Sequence, residues 1–312
     1  MKEQYDFSDI SYEHIGHESS MPFKTFFISV GYRGGHWHRE FEIILLLEGE
    51  LTVTRGNTVQ TLKKGDLYLI NPYEMHGFIK GSETNLLLVL QVDPVISSAC
   101  PTNLHCYNFN LTPGSDTERD VEDRIKEYMA DVMREVISRK SGYEYVCMGA
   151  VNSLVALLIR RVSNIRDTEA EVRSRIEWVE RLNKIIDYIN SNYDKDIGLQ
   201  DLADLVGLST FYVSHLIKEN TGLSFRENLS MIRTHHAVNL MLTTNRKLVD
   251  IAFDAGFSDI KYFNRSFKRL YGETPSRIRK RDNWKDLIRR ESGVSMGDYT
   301  DFIPLLDRIT SL

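Results

Sequence analysis

The sequence predicts an α+β multidomain chain: a β-barrel of short strands, a helical region, and then an all-α domain. Three observations carry this. Over the first hundred residues, short apolar and alternating runs are separated by turn signals. After Pro113-Gly114 the apolar spacing changes to three and four residues. Beyond residue 200, one aromatic-rich segment occurs twice. A chain of 312 residues has room for two or three domains at about 150 each.

Taken in order, strands are expected at Thr25–Gly31, Phe41–Leu47, Leu51–Arg55, Asp66–Ile70 and Asn85–Val92, parted by turns at 48–50, 55–57, 63–66 and 71–72. Strands this short and evenly spaced suit a small barrel or sandwich, assigned to residues 1–112. A helix then runs from a cap at Asp116 or Thr117 to about Lys140, with Val121, Ile125, Met129, Val132 and Val136 on one stripe. Ser141-Gly142 breaks it, and a second helix spans about Tyr143 to Val162. These two form a helical dimerisation region, 113–165, with Leu154 and Leu158 expected in the contact. A linker is placed at 166–176, in a stretch rich in charge from residue 164 onward. Helix and turn follow over 177–290, then a tail, 291–312, whose Phe302, Ile303, Leu305 and Leu306 can dock on another domain.

Composition narrows the class. The chain is 42% hydrophobic and 27% charged, ordinary for a globular protein. The longest apolar runs, Ile43–Leu47 and Leu86–Leu90, are far short of the ~20 residues of a membrane span. The acidic start lacks the apolar core of a signal peptide, and Cys100, Cys106 and Cys147 make no disulfide framework or paired zinc motif. A cytoplasmic protein with no membrane partner is expected. Charge is unevenly shared: residues 181–290 hold 19 Lys and Arg against 13 Asp and Glu, in a chain whose formal net charge is −5. A basic module joined to an acidic remainder suits polyanion binding by one part only.

The repeat specifies what that module does. Leu202-Ala203-Asp204-Leu205-Val206-Gly207-Leu208-Ser209 recurs as Ile251-Ala252-Phe253-Asp254-Ala255-Gly256-Phe257-Ser258, and each copy continues to a Lys, Lys218 or Lys268. The offset is 49 residues before the turn and 50 after it. This is the grammar of a helix-turn-helix. A small residue (Ala203, Ala252) allows close crossing, a glycine (Gly207, Gly256) ends the first helix, and a serine (Ser209, Ser258) can cap the second. Val213, Leu216 and Ile217 face inward in the first copy; Tyr262 or Phe263, Ser266 and Phe267 do so in the second. Thr210, Phe211, Ser214, His215 and Lys218 are then exposed in one reading helix, and Lys261, Asn264, Arg265 and Lys268, beside Asp259, in the other. Asn and Arg read adenine and guanine edges bidentately.

The run from Asp250 to Pro275, DIAFDAGFSDIKYFNRSFKRLYGETP, resembles the signature of the AraC/XylS family of bacterial transcription regulators, and the resemblance extends over about 180–285. It implies that a long helix, about Arg226 to Leu242, spaces two reading helices that enter successive major grooves, roughly one turn or ~34 Å apart. Phe211, Ser214 and His215, then Lys261, Asn264 and Arg265, would lie nearest the bases.

In the first domain, His36-Trp37-His38, Glu42 and Gly49 fit the pattern H-x-H-x3-E-x6-G of the first cupin motif, and Gly65 through His76 resembles the second. The barrel is accordingly expected to be cupin-like. Alternation along one strand would place His36, His38 and Glu42 on one inward face, with His76 joining from a neighbouring strand. These four could ligate a divalent transition metal, hydrogen-bond a small polar ligand, or simply pack within the fold. Regulators resembling this chain keep the barrel as a sensor, commonly for sugars, which favours the second reading.

A ligand-responsive, sequence-specific DNA-binding regulator of carbohydrate-metabolism genes results. Its expected partners are double-stranded promoter DNA, RNA polymerase, a small-molecule effector and a second copy of itself. No other cofactor and no catalysis are expected: the sequence has no G-x-S-x-G elbow, Walker A segment or G-x-G-x-x-G after a strand. The alternative is a cupin metalloenzyme domain fused to a DNA-binding domain.

Overall fold

The computed structural model describes residues 11–13, 15, 21–56, 58–82, 84–96, 102–221, 223–281, 284, 294–295, 306 and 309. Two five-stranded sheets face each other. One has the order β1 (Ser11–Tyr12), β3 (Tyr32–Trp37), β8 (His76–Lys80), β5 (Glu50–Arg55), β6 (Thr58–Lys63). The other has β12 (Val294–Ser295), β2 (Phe23–Val30), β9 (Leu86–Val92), β4 (Phe41–Glu48), β7 (Leu67–Ile70). Between them lies an inner core that includes Phe26, Ile44, Leu46, Leu51, Val53, Leu62 and Val89.

The second sheet is covered on its outer face too. Helices α1 (Arg119–Ser138) and α2 (Tyr143–Arg161) pack there, so Ile43, Leu45, Leu47, Leu88 and Leu90 share a core with Val121, Ile125, Met129, Leu154 and Leu158. This explains the unbroken apolar runs in β4 and β9: alternate residues point into the barrel or into the helices, and neither face is wet. The helical region therefore completes the sensor fold. Leu154 is fully buried in it and Leu158 nearly so, so neither is available to a second copy. What α2 exposes instead is Tyr145 and Val146.

Several boundaries differ from expectation. Helix α1 starts at Arg119 after Glu118, which makes no capping bond, so neither Asp116 nor Thr117 is the cap. Strands β3, β6 and β8 went unread because Gly34-Gly35 interrupts the first and β6 exposes nearly everything but Leu62. The segment expected as a linker is regular structure. Strand β11 (Asn164–Arg166) pairs with β10 (Tyr107–Phe109), and α3 (Glu169–Asn192) starts at Thr168 with a full capping box. Its dense charge is that of an exposed helical face.

Helix α3 also opens the all-α domain. It packs on α4 (Leu199–Val206) and α5 (Thr210–Thr221), followed by α6 (Phe225–Thr243), α7 (Leu248–Asp254), α8 (Ile260–Tyr271) and α9 (Pro275–Ile278). The expected connecting helix is thus α6, one residue longer at each end. Of the tail, Phe302, Ile303 and Leu305 lie outside the described residues. Leu306 and Ile309 are buried in the core beneath α1, where the Leu306 carbonyl accepts a bond from Arg134. Val294 and Ser295 extend the sheet beside β2.

Candidate functional site: a reading domain and a histidine cluster

The two helix-turn-helix units superpose in sequence register once their caps are known. Ser209 Oγ accepts from the Tyr212 amide in α5. In the second unit the cap is Asp259, not Ser258: its Oδ1 accepts from the Lys261 amide, 2.7 Å away. The residue inserted in the second turn moves the cap by one place. Asp259 is thereby committed to the helix end. From the caps onward α5 and α8 have the same succession of buried and exposed positions over ten residues. Val213, Leu216 and Ile217 are inward in one; Phe263, Ser266 and Phe267 in the other. Tyr262 is outward, at 57% exposure.

The residues expected to read bases occupy matching outward positions. Phe211 pairs in register with Lys261, Ser214 with Asn264, His215 with Arg265 and Lys218 with Lys268, while Thr210 opens α5 where Ile260 opens α8. Among the described residues, no carboxylate neutralises Lys261, Arg265 or Lys268. His215 differs, its Nδ1 lying 3.1 Å from Glu219. Phe211 is 80% exposed.

Helix α6 sets the two units apart, and its polar side chains fix both. Asn228 donates to Thr221 Oγ1 at the end of α5, at 2.8 Å. Two turns on, buried Thr234 donates to Ser266 of α8, at 2.7 Å. Arg233 donates to the Tyr193 and Lys195 carbonyls after α3.

In the barrel, His36, His38 and His76 come together as expected, with ring centroids 4.1 to 6.2 Å apart. The route is not a single strand. Strand β3 ends at Trp37, the chain turns at Arg39-Glu40, and Glu42 arrives on β4 in the opposite sheet. All four side chains are buried. The Nδ1 atoms of His36, His38 and His76 lie 3.0, 3.2 and 2.8 Å from the carbonyls of Gly34, Glu40 and Glu74. A carbonyl can only accept, so each ring carries a proton on Nδ1 and turns Nε2 inward.

Burial, with the Arg33 charge for one and the other histidines for both, holds His36 and His76 well below the ordinary imidazole range. They are neutral. Burial would lower His38 as well, but its bond to Glu42 (3.1 Å) and that carboxylate's charge raise it. Glu42 shows the reverse: burial pushes up, and the bonds from His38 and Gln91 with nearby imidazoles bring it down to about 2. Beside this cluster a cavity of about 160 Å³ opens, lined by Phe26, Ile44, Phe78 and Val89 with Lys24 and Arg33 among its polar groups.

Sequence reasoning missed the residue that joins site to reading domain. Trp37, between two cluster histidines, points the other way. It is buried in the core made by Leu182, Ile185 and Ile186 of α3, and its indole N–H donates to Asn183 at 2.8 Å. Tyr73 and Met75, just before His76, pack against the same core. An apolar residue inside H-x-H reads as ordinary strand alternation, so nothing in the sequence marked it.

Residues 202–281 match the model of a helix-turn-helix domain, and residues 27–94 match that of an AraC-like ligand binding domain. The chain carries an AraC-type helix-turn-helix domain and an AraC-like ligand-binding domain. An uncharacterized HTH-type transcriptional regulator of Staphylococcus aureus is 23% identical over 234 residues, 75% of this chain and 30% of that protein. The chain thus spans under a third of the length of the staphylococcal regulators it matches. The bifunctional transcriptional activator/DNA repair enzyme AdaA of Bacillus subtilis is 32% identical over 103 residues, 33% of this chain and 47% of AdaA. Among solved structures, fatty-acid-bound ToxT from Vibrio cholerae covers 84% of this chain and is itself covered to 96%, at 16% identity and a TM-score of 0.43. Among the described residues no helix is long and apolar enough to cross a membrane.

Proposed function

We propose that this AraC-type chain is a cytoplasmic, effector-responsive regulator of transcription that reads promoter DNA with α5 and α8. The observation carrying the reading is the matched exposure of these two helices on a frame fixed by α6, with Asn264 and the unneutralised cations of Lys261, Arg265 and Lys268 on one of them. Promoter DNA and RNA polymerase are its macromolecular partners, with carbohydrate-metabolism genes as the targets the family resemblance suggests.

The effector binds in the barrel beside His36, His38, Glu42 and His76. The cavity there is close in size to ones that take a benzene-sized body, and its walls are mainly apolar, so a compact effector with one polar end fits better than a fully hydroxylated one. Trp37, Tyr73 and Met75 carry the response. They alternate with, or adjoin, the cluster histidines and are packed in the core of the first reading unit, so a shift of the histidine strands moves that core. A ligand alters DNA affinity only by binding one arrangement better than the other, and the coupling is reciprocal.

In vitro selection of DNA by the full chain, followed by anisotropy titration, tests the reading. A selected site should contain two elements about one turn apart, and its affinity should fall steeply with salt as Lys and Arg neutralise phosphates. Arg265→Ala should cost about 1–3 kcal/mol and relax preference at one position. No enrichment, or affinity indifferent to salt, overturns it. The histidine cluster favours a second reading, an enzyme domain fused to the same DNA-binding domain. Recovery of an effector chemically unchanged after incubation with the full chain separates the two.

A further inference from the structure

Strand β2 alternates between two cores. Thr25 and Phe27 turn outward, where the Thr25 hydroxyl reaches Met133 of α1 and Phe27 joins the core shared with the helices. Lys24, Phe26 and Ile28 turn inward and line the cavity of about 160 Å³. Lys24 stands across from Gln91 of β9, and Gln91 across from Glu42 of β4. Cation, amide and carboxylate thus form one row of cross-strand neighbours. The carboxylate is nevertheless not the partner of Lys24, since His38, at 3.1 Å, and the Gln91 amide hold it. Arg33, the other cation on the cavity, is held by Glu13 at 3.1 Å. Among the described residues no carboxylate pairs with Lys24, whose ammonium lies over the Phe26 ring, 5.1 Å from its centroid. With the other charges paired, one positive charge faces the cavity. A second group there is also unmatched. An ionised Glu42 only accepts, so Gln91 turns its NH2 toward Glu42 and its Oε1 away. That Oε1 is buried with no hydrogen-bond partner, in a residue 3% exposed that lines the same cavity. An unmatched buried acceptor is costly.

We propose that the effector is a compact apolar monocarboxylate carrying one hydroxyl, an inference that rests on the reading of the barrel as the effector site. Its carboxylate pairs with Lys24, its body lies among Phe26, Ile44, Phe78 and Val89, and its hydroxyl donates to Gln91 Oε1. Each part excludes another class of ligand. A cation would meet the charge of Lys24 with no carboxylate left to balance it. A dicarboxylate would place a second charge in the cavity without a partner. A neutral sugar would turn most of its hydroxyls onto apolar walls, where they lose hydrogen bonds to water. A long acyl chain exceeds a space that suits a benzene-sized body. Lys24 is half-buried at the rim of this space, so a body that displaces water from the cavity also strengthens the ion pair.

The test titrates the full chain by calorimetry with benzoate, the three hydroxybenzoates, neutral benzamide and cationic benzylamine. Wild type should bind benzoate at least tenfold more tightly than benzamide, and one hydroxybenzoate at least threefold more tightly than benzoate. Lys24→Met should lose the preference for benzoate over benzamide, and Lys24→Glu should turn it toward benzylamine, with the circular dichroism of each unchanged. Should Lys24→Met unfold, Lys24→Gln is equally neutral and supplies the same comparison. Wild type that binds benzoate no better than benzamide, a preference that survives in Lys24→Met, or no binding of any carboxylate overturns the proposal. No gain from a hydroxyl at any ring position removes the part given to Gln91. Affinity for selected DNA, measured with and without the tightest-bound carboxylate, separates the failures. A bound carboxylate that leaves DNA affinity unchanged removes the effector reading and keeps the chemistry of the cavity. A neutral compound that shifts DNA affinity, where no carboxylate binds, removes the chemistry and keeps the reading.

Discussion

Gly207 and Gly256 hold the same place in the two reading units, yet their surroundings differ. Both are left-handed, with φ +66° and +85°. A β-carbon on Gly207 would meet open space, whereas on Gly256 it would lie 2.6 Å from the Tyr193 carbonyl oxygen and 2.7 Å from Asp194 Cα. Gly207→Ala should therefore cost about 1–2 kcal/mol, the backbone penalty alone. Gly256→Ala should add the roughly 1–3 kcal/mol of an overpacked contact, because α3's end must shift. Urea unfolding of the two variants compares them directly, and equal losses would contradict the clash. Cys147 offers a chemical check. It is fully buried, and burial pushes its thiol up to about 11, so little nucleophilic thiolate forms at neutral pH. Peptide mapping after native alkylation at pH 8 should find Cys147 unmodified, and modified after denaturation. At this scale the histidines and Glu42 were legible because their types and spacing are unusual. Trp37 and Asn183 were not, since a contact 146 residues apart leaves no local mark.

Helices proved more legible than strands, and for a physical reason. The apolar period of a helix acts within a few residues, which found α1, α2 and α6. The capping boxes of Thr168 with Glu171 and Ser224 with Glu227 at the starts of α3 and α6 went unread, and the first stretch was expected as a linker. In the second box Glu227 also receives Arg269 from α8 at 3.3 Å. Its carboxyl is held below the ordinary range by the Ser224 side chain and amide first and by Arg269 after them. Ser224→Ala should destabilise the fold by about 1 kcal/mol, seen as a lowered urea midpoint. An unchanged midpoint would mean the cap carries no load. Strands depend on partners far away in sequence. The strong alternation of a half-buried strand is missing from β4 because both its faces are covered, and missing from β6 because it sits at a sheet edge with little to bury. Thus β4 was found from its length and apolarity, while β6 looked like loop.

At the scale of the molecule, α3 belongs to both halves. Near its start, Arg175 donates to the His105 carbonyl and to Asn108 on the sensor; further along, Val179, Leu182, Ile185, Ile186 and Ile189 build the first reading unit. The charged stretch read as a boundary is therefore the start of a continuous helix that touches both halves. The same view relocates self-association. With Leu154 and Leu158 turned inward, the most exposed large apolar side chains left on α2 are those of Tyr145 and Val146. We propose that a homodimer forms through this face. Val146→Glu should give a monomer of unchanged fold in sedimentation, whereas Leu154→Glu should disrupt the fold itself. A dimer persisting in Val146→Glu would place the contact elsewhere.

The strand Val294–Ser295 on β2, with Leu306 and Ile309 beneath α1, has a consequence for how this chain responds to being cut. The reading domain leaves the sensor through α3, and the chain that follows it comes back to the same sensor. A single protease nick between the two halves then severs covalent continuity at one place while the second attachment still holds. The fragments should migrate together under native conditions and part only in denaturant, so a regulator of this build can be clipped without being dismantled.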